Sequence, residues 1–85
     1  MVDKLEILKK KLLYRASYRG TKEMDILLSS FVKYYVSKFN IDELKELEIF
    51  LNFEDEIILD YYNNDISRNN INKNGVSKYF KKFKI

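Results

Sequence analysis

Residues 22–39 read KEMDILLSSFVKYYVSKF, and this stretch decides the fold. Its large apolar side chains recur every three or four residues, which places them along one side of an α-helix. This stripe consists of Met24, Leu27, Leu28, Phe31, Tyr35 and Phe39. The spacing predicts a helix from Lys22 to Phe39 at the centre of a helical core.

The segment before this helix has the same periodicity. Leu5, Leu8 and Leu12 predict a first helix over residues 3–17. Gly20 follows, and we expect it to end that helix in a left-handed conformation, which glycine adopts without steric cost. The chain has no Pro and only two Gly, so few positions force a helix to break.

The start signals of two more helices follow. Asn40 and, three residues later, Glu43 match a capping box and predict the start of a third helix. The acids at positions 54–56 suit the first turn of a fourth helix, because the positive end of the helix dipole stabilises negative charge. The sequence therefore predicts an all-α protein, a compact bundle of about five short helices.

The C-terminal segment has a different composition. Residues 63–74 contain six Asn, which favour turns and predict a loop or a mobile linker. From Val76 onwards the apolar spacing returns among lysines. We therefore divide the chain into residues 1–64, a helical bundle core, and residues 65–85, a polar Asn-rich linker with a basic amphipathic C-terminal helix or tail.

Composition argues against several classes of function. The chain has no Cys and no His, so it has no thiolate, no imidazole base and none of the commonest transition-metal ligands. Its apolar runs are too short to span a bilayer, and its N-terminal residues do not resemble a targeting segment. These features predict a non-enzymatic cytoplasmic protein without a membrane span or a metal.

The net charge of +3 is unevenly distributed. Residues 1–22 carry seven bases and two acids, residues 23–66 three bases and eleven acids, and residues 67–85 six bases and no acid. This alternation favours charge-complementary contacts, within the fold or with a partner. It argues against a protein that binds nucleic acid along its whole length, because the acidic middle repels phosphate.

Two alternative functions remain open on these grounds. A small nucleic-acid-binding protein could use aromatic rings that alternate with bases, namely Tyr14, Tyr18, Tyr79 and Phe80. A generic protein-interaction module could use the basic C-terminal segment instead.

The junction between the first two helices, residues 18–25, contains a compact polar cluster. Glu23 and Asp25 lie in the first turn of the second helix, Arg19 offers a planar set of donors beside them, and Gly20 allows close approach of a partner. By chemistry alone, the same residues also have structural explanations. Gly20 is then a helix cap, Glu23 and Asp25 complement the helix dipole, and Arg19 is a solvated charge at the helix end.

The sequence of this junction, Tyr-Arg-Gly-Thr-Lys-Glu-Met-Asp, resembles the Arg-Gly-x-x-Glu-(Leu/Met)-Asp signature of the succinate dehydrogenase flavinylation factor (SdhE-type) family. Leu12-Leu13-Tyr14, Phe53-Glu54-Asp55 and Asp60-Tyr61-Tyr62 resemble other family segments in the same order, so the resemblance covers roughly residues 5–64. Tyr18 departs from it by replacing a frequent second base, and Tyr61 by replacing a usual Trp. The Asp-Pro that often begins the fourth helix is also missing.

The resemblance implies a function and a partner. Family members are small helical bundles that bind the flavoprotein subunit of succinate dehydrogenase, in bacteria also that of fumarate reductase, before the iron–sulfur subunit joins. They promote covalent attachment of FAD to a His of the flavoprotein. This chain lacks both His and a Gly-rich dinucleotide loop, so we expect FAD to be held by the partner and not by this chain.

The resemblance also implies where the partner binds. We expect a monomer, located in the bacterial cytoplasm or, for a processed organellar protein, in the mitochondrial matrix. No residue is expected to be catalytic, to bind a cofactor or to bind a metal. The expected partner-binding residues are Tyr18, Arg19, Gly20, Glu23, Asp25 and Tyr61.

Overall fold

A computed structural model of the chain describes residues 3–84. Its α-helices are α1 (Lys4–Ser17), α2 (Lys22–Tyr35), α3 (Ile41–Phe50), α4 (Asp55–Asn64) and α5 (Ser77–Lys82), and a 3-10 turn spans Ile71–Lys73. No β-strand occurs in this part of the chain. The prediction of an all-α bundle of five short helices is confirmed.

Helices α2 and α3 begin at polar residues that cap their first turns. The Thr21 hydroxyl accepts a hydrogen bond from the Met24 N–H at 3.2 Å, and the Asn40 side chain accepts one from the Glu43 N–H at 2.9 Å. The Glu43 carboxylate in turn accepts from the Asn40 N–H at 3.0 Å, which confirms the predicted capping box. These bonds satisfy N–H groups that have no partner within the helix.

Helix α2 is shorter than its apolar spacing predicts. Its last α-helical residue is Tyr35 and not Phe39. The Lys38 N–H donates to the Tyr35 carbonyl at 2.9 Å, a 3-10 type contact that tightens the chain before α3 begins. Val36 and Phe39 are nevertheless buried. The spacing of buried residues therefore continues through a turn that is no longer α-helical.

The core forms around the middle of α2, as predicted. Met24, Leu28 and Phe31 are completely buried. The Phe31 ring centroid lies 6.4 Å from that of Phe50 on α3 and 5.1 Å from that of Phe80 on α5. One aromatic side chain of α2 thus joins the middle and the C-terminal end of the chain.

The Asn-rich tract is attached to the bundle by Ile71 and Asn74. Ile71 is completely buried. The Asn74 amide donates to the Glu46 carbonyl at 2.9 Å, and its side-chain oxygen accepts from the Val76 N–H, also at 2.9 Å. The tract forms no α-helix between residues 65 and 76, as a loop prediction requires, and Ile71 and Asn74 attach it to the helices while residues 63–70 are exposed.

Helix α5 docks on the bundle, which is one of the two arrangements that the sequence allowed. Phe80 is completely buried, and its ring centroid lies 4.9 Å from that of Tyr62. The Tyr62 hydroxyl donates to the Phe83 carbonyl at 2.6 Å. The division of the chain at residue 64 stays a prediction, although Phe80 shares one core with the first four helices.

None of the helices within residues 3–84 is long and apolar enough to cross a membrane.

Candidate functional site

The predicted site lies where α1 gives way to α2, and the turn before α4 packs against it. Gly20 has no positive φ, so the predicted left-handed conformation is wrong. Helix α1 ends because Tyr18 leaves the helical region at φ −124° and ψ 70°. The Gly20 N–H then donates to the Asp55 carboxylate at 3.1 Å, and the chain passes into the Thr21 cap of α2. The start of α4 and not a glycine turn therefore fixes this junction.

Arg19 points into the protein. Its Nε donates to Asp55 Oδ1 at 2.8 Å, its Nη1 to the Leu51 carbonyl at 2.9 Å and its Nη2 to the Phe53 carbonyl at 3.0 Å. Only 12% of the side chain is exposed. The alternative of a solvated end charge is therefore wrong, and the guanidinium itself offers a partner little surface.

The acceptors of Arg19 explain why an arginine is suited to this position. The Leu51 and Phe53 carbonyls lie just beyond α3, where the helix supplies no donors for them. Asp55 occupies the first turn of α4, where the helix dipole favours its negative charge. A planar guanidinium can satisfy all three acceptors at once, whereas the single nitrogen of a lysine cannot.

Asp25 and Glu23 both lie in the first turn of α2, as predicted, but they face different surroundings. The half-buried Asp25 carboxylate accepts a hydrogen bond from the Arg19 N–H and so closes the junction from the α2 side. Glu23 is exposed and borders a mainly apolar cleft of about 280 Å³. The other residues of the cleft are Ile26, Leu27, Tyr62 and Asn63.

Tyr18 is an exposed residue of the predicted site. It is 71% exposed, and its ring centroid lies 4.6 Å from that of Tyr14, which is 66% exposed. The two rings form an aromatic edge beside Gly20. Sequence reasoning left Tyr14 out of the site; its spacing of four residues from Tyr18, which directly follows the predicted first helix, was the available signal.

Tyr61 is not brought into this cluster. It lies in the second half of α4, where its carbonyl accepts a hydrogen bond from Lys81 and its ring lies 4.8 Å from the Lys81 amine. The neighbouring Tyr62 borders the cleft beside Glu23 instead. Asp55, which the sequence indicated only as part of an acidic turn, is the central partner of Arg19.

The structure also bears on the rings named for nucleic-acid binding. Phe80 is completely buried and cannot stack on a base. Tyr79 is half-buried, and its hydroxyl donates to the Glu43 carboxylate at 3.2 Å. Within residues 3–84, no group of three or more Asp or Glu side chains is placed to hold a metal ion.

A family model described as flavinator of succinate dehydrogenase matches residues 10–84. The chain belongs to this family. The match includes the whole α1–α2 junction and continues through α5. It therefore extends past residue 64, where the resemblance of individual segments ends.

Curated members of the flavinator family share part of this sequence. Mitochondrial succinate dehydrogenase assembly factor 2 of Schizosaccharomyces japonicus is 43% identical over 54 residues, which is 64% of this chain and 38% of that protein. Its namesake in Aspergillus flavus is 38% identical over 53 residues, 62% of this chain and 18% of that protein. Assembly factor 2-B of Drosophila willistoni is 40% identical over 50 residues, 59% of this chain and 32% of that protein.

The shared stretch thus spans well under half the length of each of these relatives. No solved structure matches this chain.

Proposed function

We propose that this chain is a non-catalytic assembly factor that binds the flavoprotein subunit of succinate dehydrogenase and promotes its covalent attachment to FAD. The observation that carries the proposal is the family match over residues 10–84, which includes the Arg-Gly-x-x-Glu stretch. The relatives, named as succinate dehydrogenase assembly factors, support it. The flavoprotein of fumarate reductase is an alternative partner of the same kind.

In this proposal the flavin chemistry belongs to the partner. The 85 residues contain no His to accept FAD. The factor acts by binding one conformation of the immature flavoprotein, in which FAD and the acceptor His are close enough to react. It must prefer that conformation to the mature one, because a ligand with equal affinity for both would shift no population.

The exposed side of the α1–α2 junction is the proposed contact surface. Tyr18 and Glu23 are exposed, and the backbone of Gly20 lies between them. Arg19 and Asp25 act mainly as positioning residues, because both bind the junction from within. Tyr61 remains a predicted secondary contact. The aromatic edge of Tyr14 and Tyr18 gives the surface an apolar component.

The proposed place of action follows the location of succinate dehydrogenase. The relatives are named as mitochondrial proteins. We propose that this chain works in the bacterial cytoplasm or in the mitochondrial matrix, where a flavoprotein subunit would be available before it joins the iron–sulfur subunit.

The test is co-expression with the cognate flavoprotein in cells that lack their own factor, followed by measurement of flavin fluorescence in the denatured flavoprotein. We expect Glu23→Ala to lower covalent flavin several-fold. Asp42→Ala is the matched control, because Asp42 is also an exposed acid at the second position of a helix, α3. Unchanged flavin attachment with and without the chain would contradict the proposed function.

Gly20 provides a second comparison within the same assay. A Cβ at this position would lie 3.4 Å from Asp55 Oδ2, an ordinary contact, so Gly20→Ala should fold and retain activity. Gly20→Arg should fold as well but attach little flavin, because its long side chain occupies the surface where the partner approaches. Equal activity of the two variants would argue against contact at Gly20.

A further inference from the structure

A second surface lies at the other end of α2, between its last two turns and the residues around the end of α5. It is an open groove of about 500 Å³. It is lined by Ser30, Tyr34, Tyr35, Lys82, Phe83 and Lys84. Tyr34 lies eleven residues beyond Glu23, or about 16 Å along the helix axis, so this groove is distinct from the α1–α2 junction.

The charge of this groove has one sign. Residues 26–39 and 66–84, which supply both walls, contain no Asp or Glu. Lys82 and Lys84 are exposed at its edge. Within residues 3–84, neither lysine has a carboxylate within ion-pair distance. Both ammonium groups are therefore without a carboxylate partner in this part of the chain, and the Lys84 amine also lies 5.5 Å from the centroid of the Tyr62 ring.

The acids of neighbouring elements do not neutralise the groove. Asp65, at the end of α4, pairs with Lys81. Glu43, in the first turn of α3, accepts a hydrogen bond from the Tyr79 hydroxyl at 3.2 Å and lies outside the residues that line the groove.

The floor of the groove is aromatic. Tyr34 is 53% exposed, and its ring centroid lies 6.0 Å from that of the half-buried Phe83. The amine of Lys38 lies 4.3 Å from the Tyr34 centroid and covers one face of the ring. The groove thus combines an apolar floor with ammonium groups at its edges.

We propose that this groove binds a flexible acidic segment of a partner protein. Carboxylates of the segment pair with Lys82 and Lys84, and one apolar side chain rests on Tyr34 and Phe83. The charge provides long-range attraction, while the apolar contact provides the part of the affinity that salt does not screen.

A single strand of nucleic acid fits this groove less well. Such a strand needs several exposed rings for successive bases and a basic path for its backbone. Tyr34 is the exposed ring of the groove, and Lys38 already covers one of its faces. Phe80 is buried and offers no face to a base.

The test uses the full chain and a fluorescein-labelled peptide, Glu-Glu-Phe-Glu-Glu-Glu, in a fluorescence anisotropy titration. We expect saturable binding that Lys82→Gln/Lys84→Gln weakens at least about tenfold at physiological salt. The matched control is Lys10→Gln/Lys22→Gln, which removes the same charge from exposed positions elsewhere and should change the Kd by no more than about twofold. A peptide with Ser in place of Phe should also bind more weakly.

Three results would overturn the proposal. They are absence of peptide binding, equal weakening by the two double variants, and tighter binding of a labelled dodecathymidylate with the same dependence on Lys82 and Lys84. Circular dichroism checks that each variant is folded. Flavin attachment is not the readout, so the result is independent of the function proposed for the α1–α2 junction.

Discussion

The three guanidinium nitrogens of Arg19 donate hydrogen bonds to two carbonyls just after α3 and to Asp55, the first residue of α4. The place of this residue in the Arg-Gly-x-x-Glu motif was evident from the sequence, but the direction of its side chain was not. Its acceptors lie 32 to 36 residues further along the chain, and no local pattern reports a contact over that separation. The motif arginine therefore shapes the proposed contact surface more than it forms it.

Replacement of Arg19 tests this structural role. Arg19→Ala leaves Asp55 Oδ1 and two carbonyls without their donor, so the free energy of unfolding should fall by about 2–3 kcal/mol in urea titrations. Arg68→Ala is the control, because Arg68 pairs with Asp60 while its side chain is 43% exposed. Arg68→Ala should lower the free energy of unfolding by less than about 1 kcal/mol. Equal losses in the two variants would show that Arg19 contributes no more than a surface ion pair.

At the scale of the elements, helix starts were easier to predict than helix ends. The Asn40–Glu43 capping box lies within four residues of sequence, so its local pattern is sufficient. The end of α2 depends on how the chain turns within the core, and the apolar spacing continues past it to Phe39. The anchoring of the Asn-rich tract depends on Glu46, 28 residues before Asn74. Composition predicted a loop there and could not show its attachment.

Asn74 is the polar anchor of that tract, so its loss should loosen the connection between α3 and α5. Asn74→Ala removes three hydrogen bonds, two to Glu46 and one from Val76. The free energy of unfolding should fall by about 1–3 kcal/mol, and amide exchange in residues 71–76 should accelerate. Asn63→Ala, at an exposed position of α4, should change neither quantity. An unaffected exchange rate in Asn74→Ala would contradict the anchoring role.

The contact between α1 and α3 should respond to pH. Lys11 donates to the Glu48 carboxylate at 2.8 Å, and this bond lowers the pKa of Glu48 below its usual 4.5. The folded state therefore favours the ionised carboxylate. Its stabilising effect is present above pH 4.5 and is lost as the pH falls through the lower pKa of the folded state.

Lys11→Met should return the pKa of Glu48 towards its usual value, as measured by NMR of the side-chain carboxyl carbon. Lys10→Met is the control, because Lys10 is exposed and has no such bond. A pKa of Glu48 that stays equally low in Lys11→Met would show that another group causes the shift.

At the scale of the whole molecule, the uneven charge of the sequence is resolved in part within the fold. Of the ion pairs within residues 3–84, Lys11–Glu48 and Arg19–Asp55 join the basic first segment to the acidic middle. Arg68–Asp60 and Lys81–Asp65 join that middle to the basic C-terminal segment. The sequence predicted charge-complementary contacts but could not show whether they lie inside the fold or with a partner.

The C-terminal segment contributes to the stability of the whole domain through Phe80. Phe80→Ala should lower the free energy of unfolding by about 3–5 kcal/mol. A chain of this length has a total free energy of unfolding of about 4–13 kcal/mol, so the variant should be close to unfolding at room temperature. Phe83→Ala makes the same chemical change at a half-buried position and should cost less. If circular dichroism showed the same melting temperature for Phe80→Ala as for the unaltered chain, the core would not depend on α5.

The bonds of Arg19 also have a consequence for the order of events during protein synthesis. The acceptors at Leu51, Phe53 and Asp55 are translated after the motif that they fix. A nascent chain that ends before residue 55 can form α1 and α2 but cannot hold their junction in its final shape. Under the proposed function, we expect a flavoprotein to recognise this chain only after the beginning of α4 has left the ribosome, so that recognition would also check that the factor is folded.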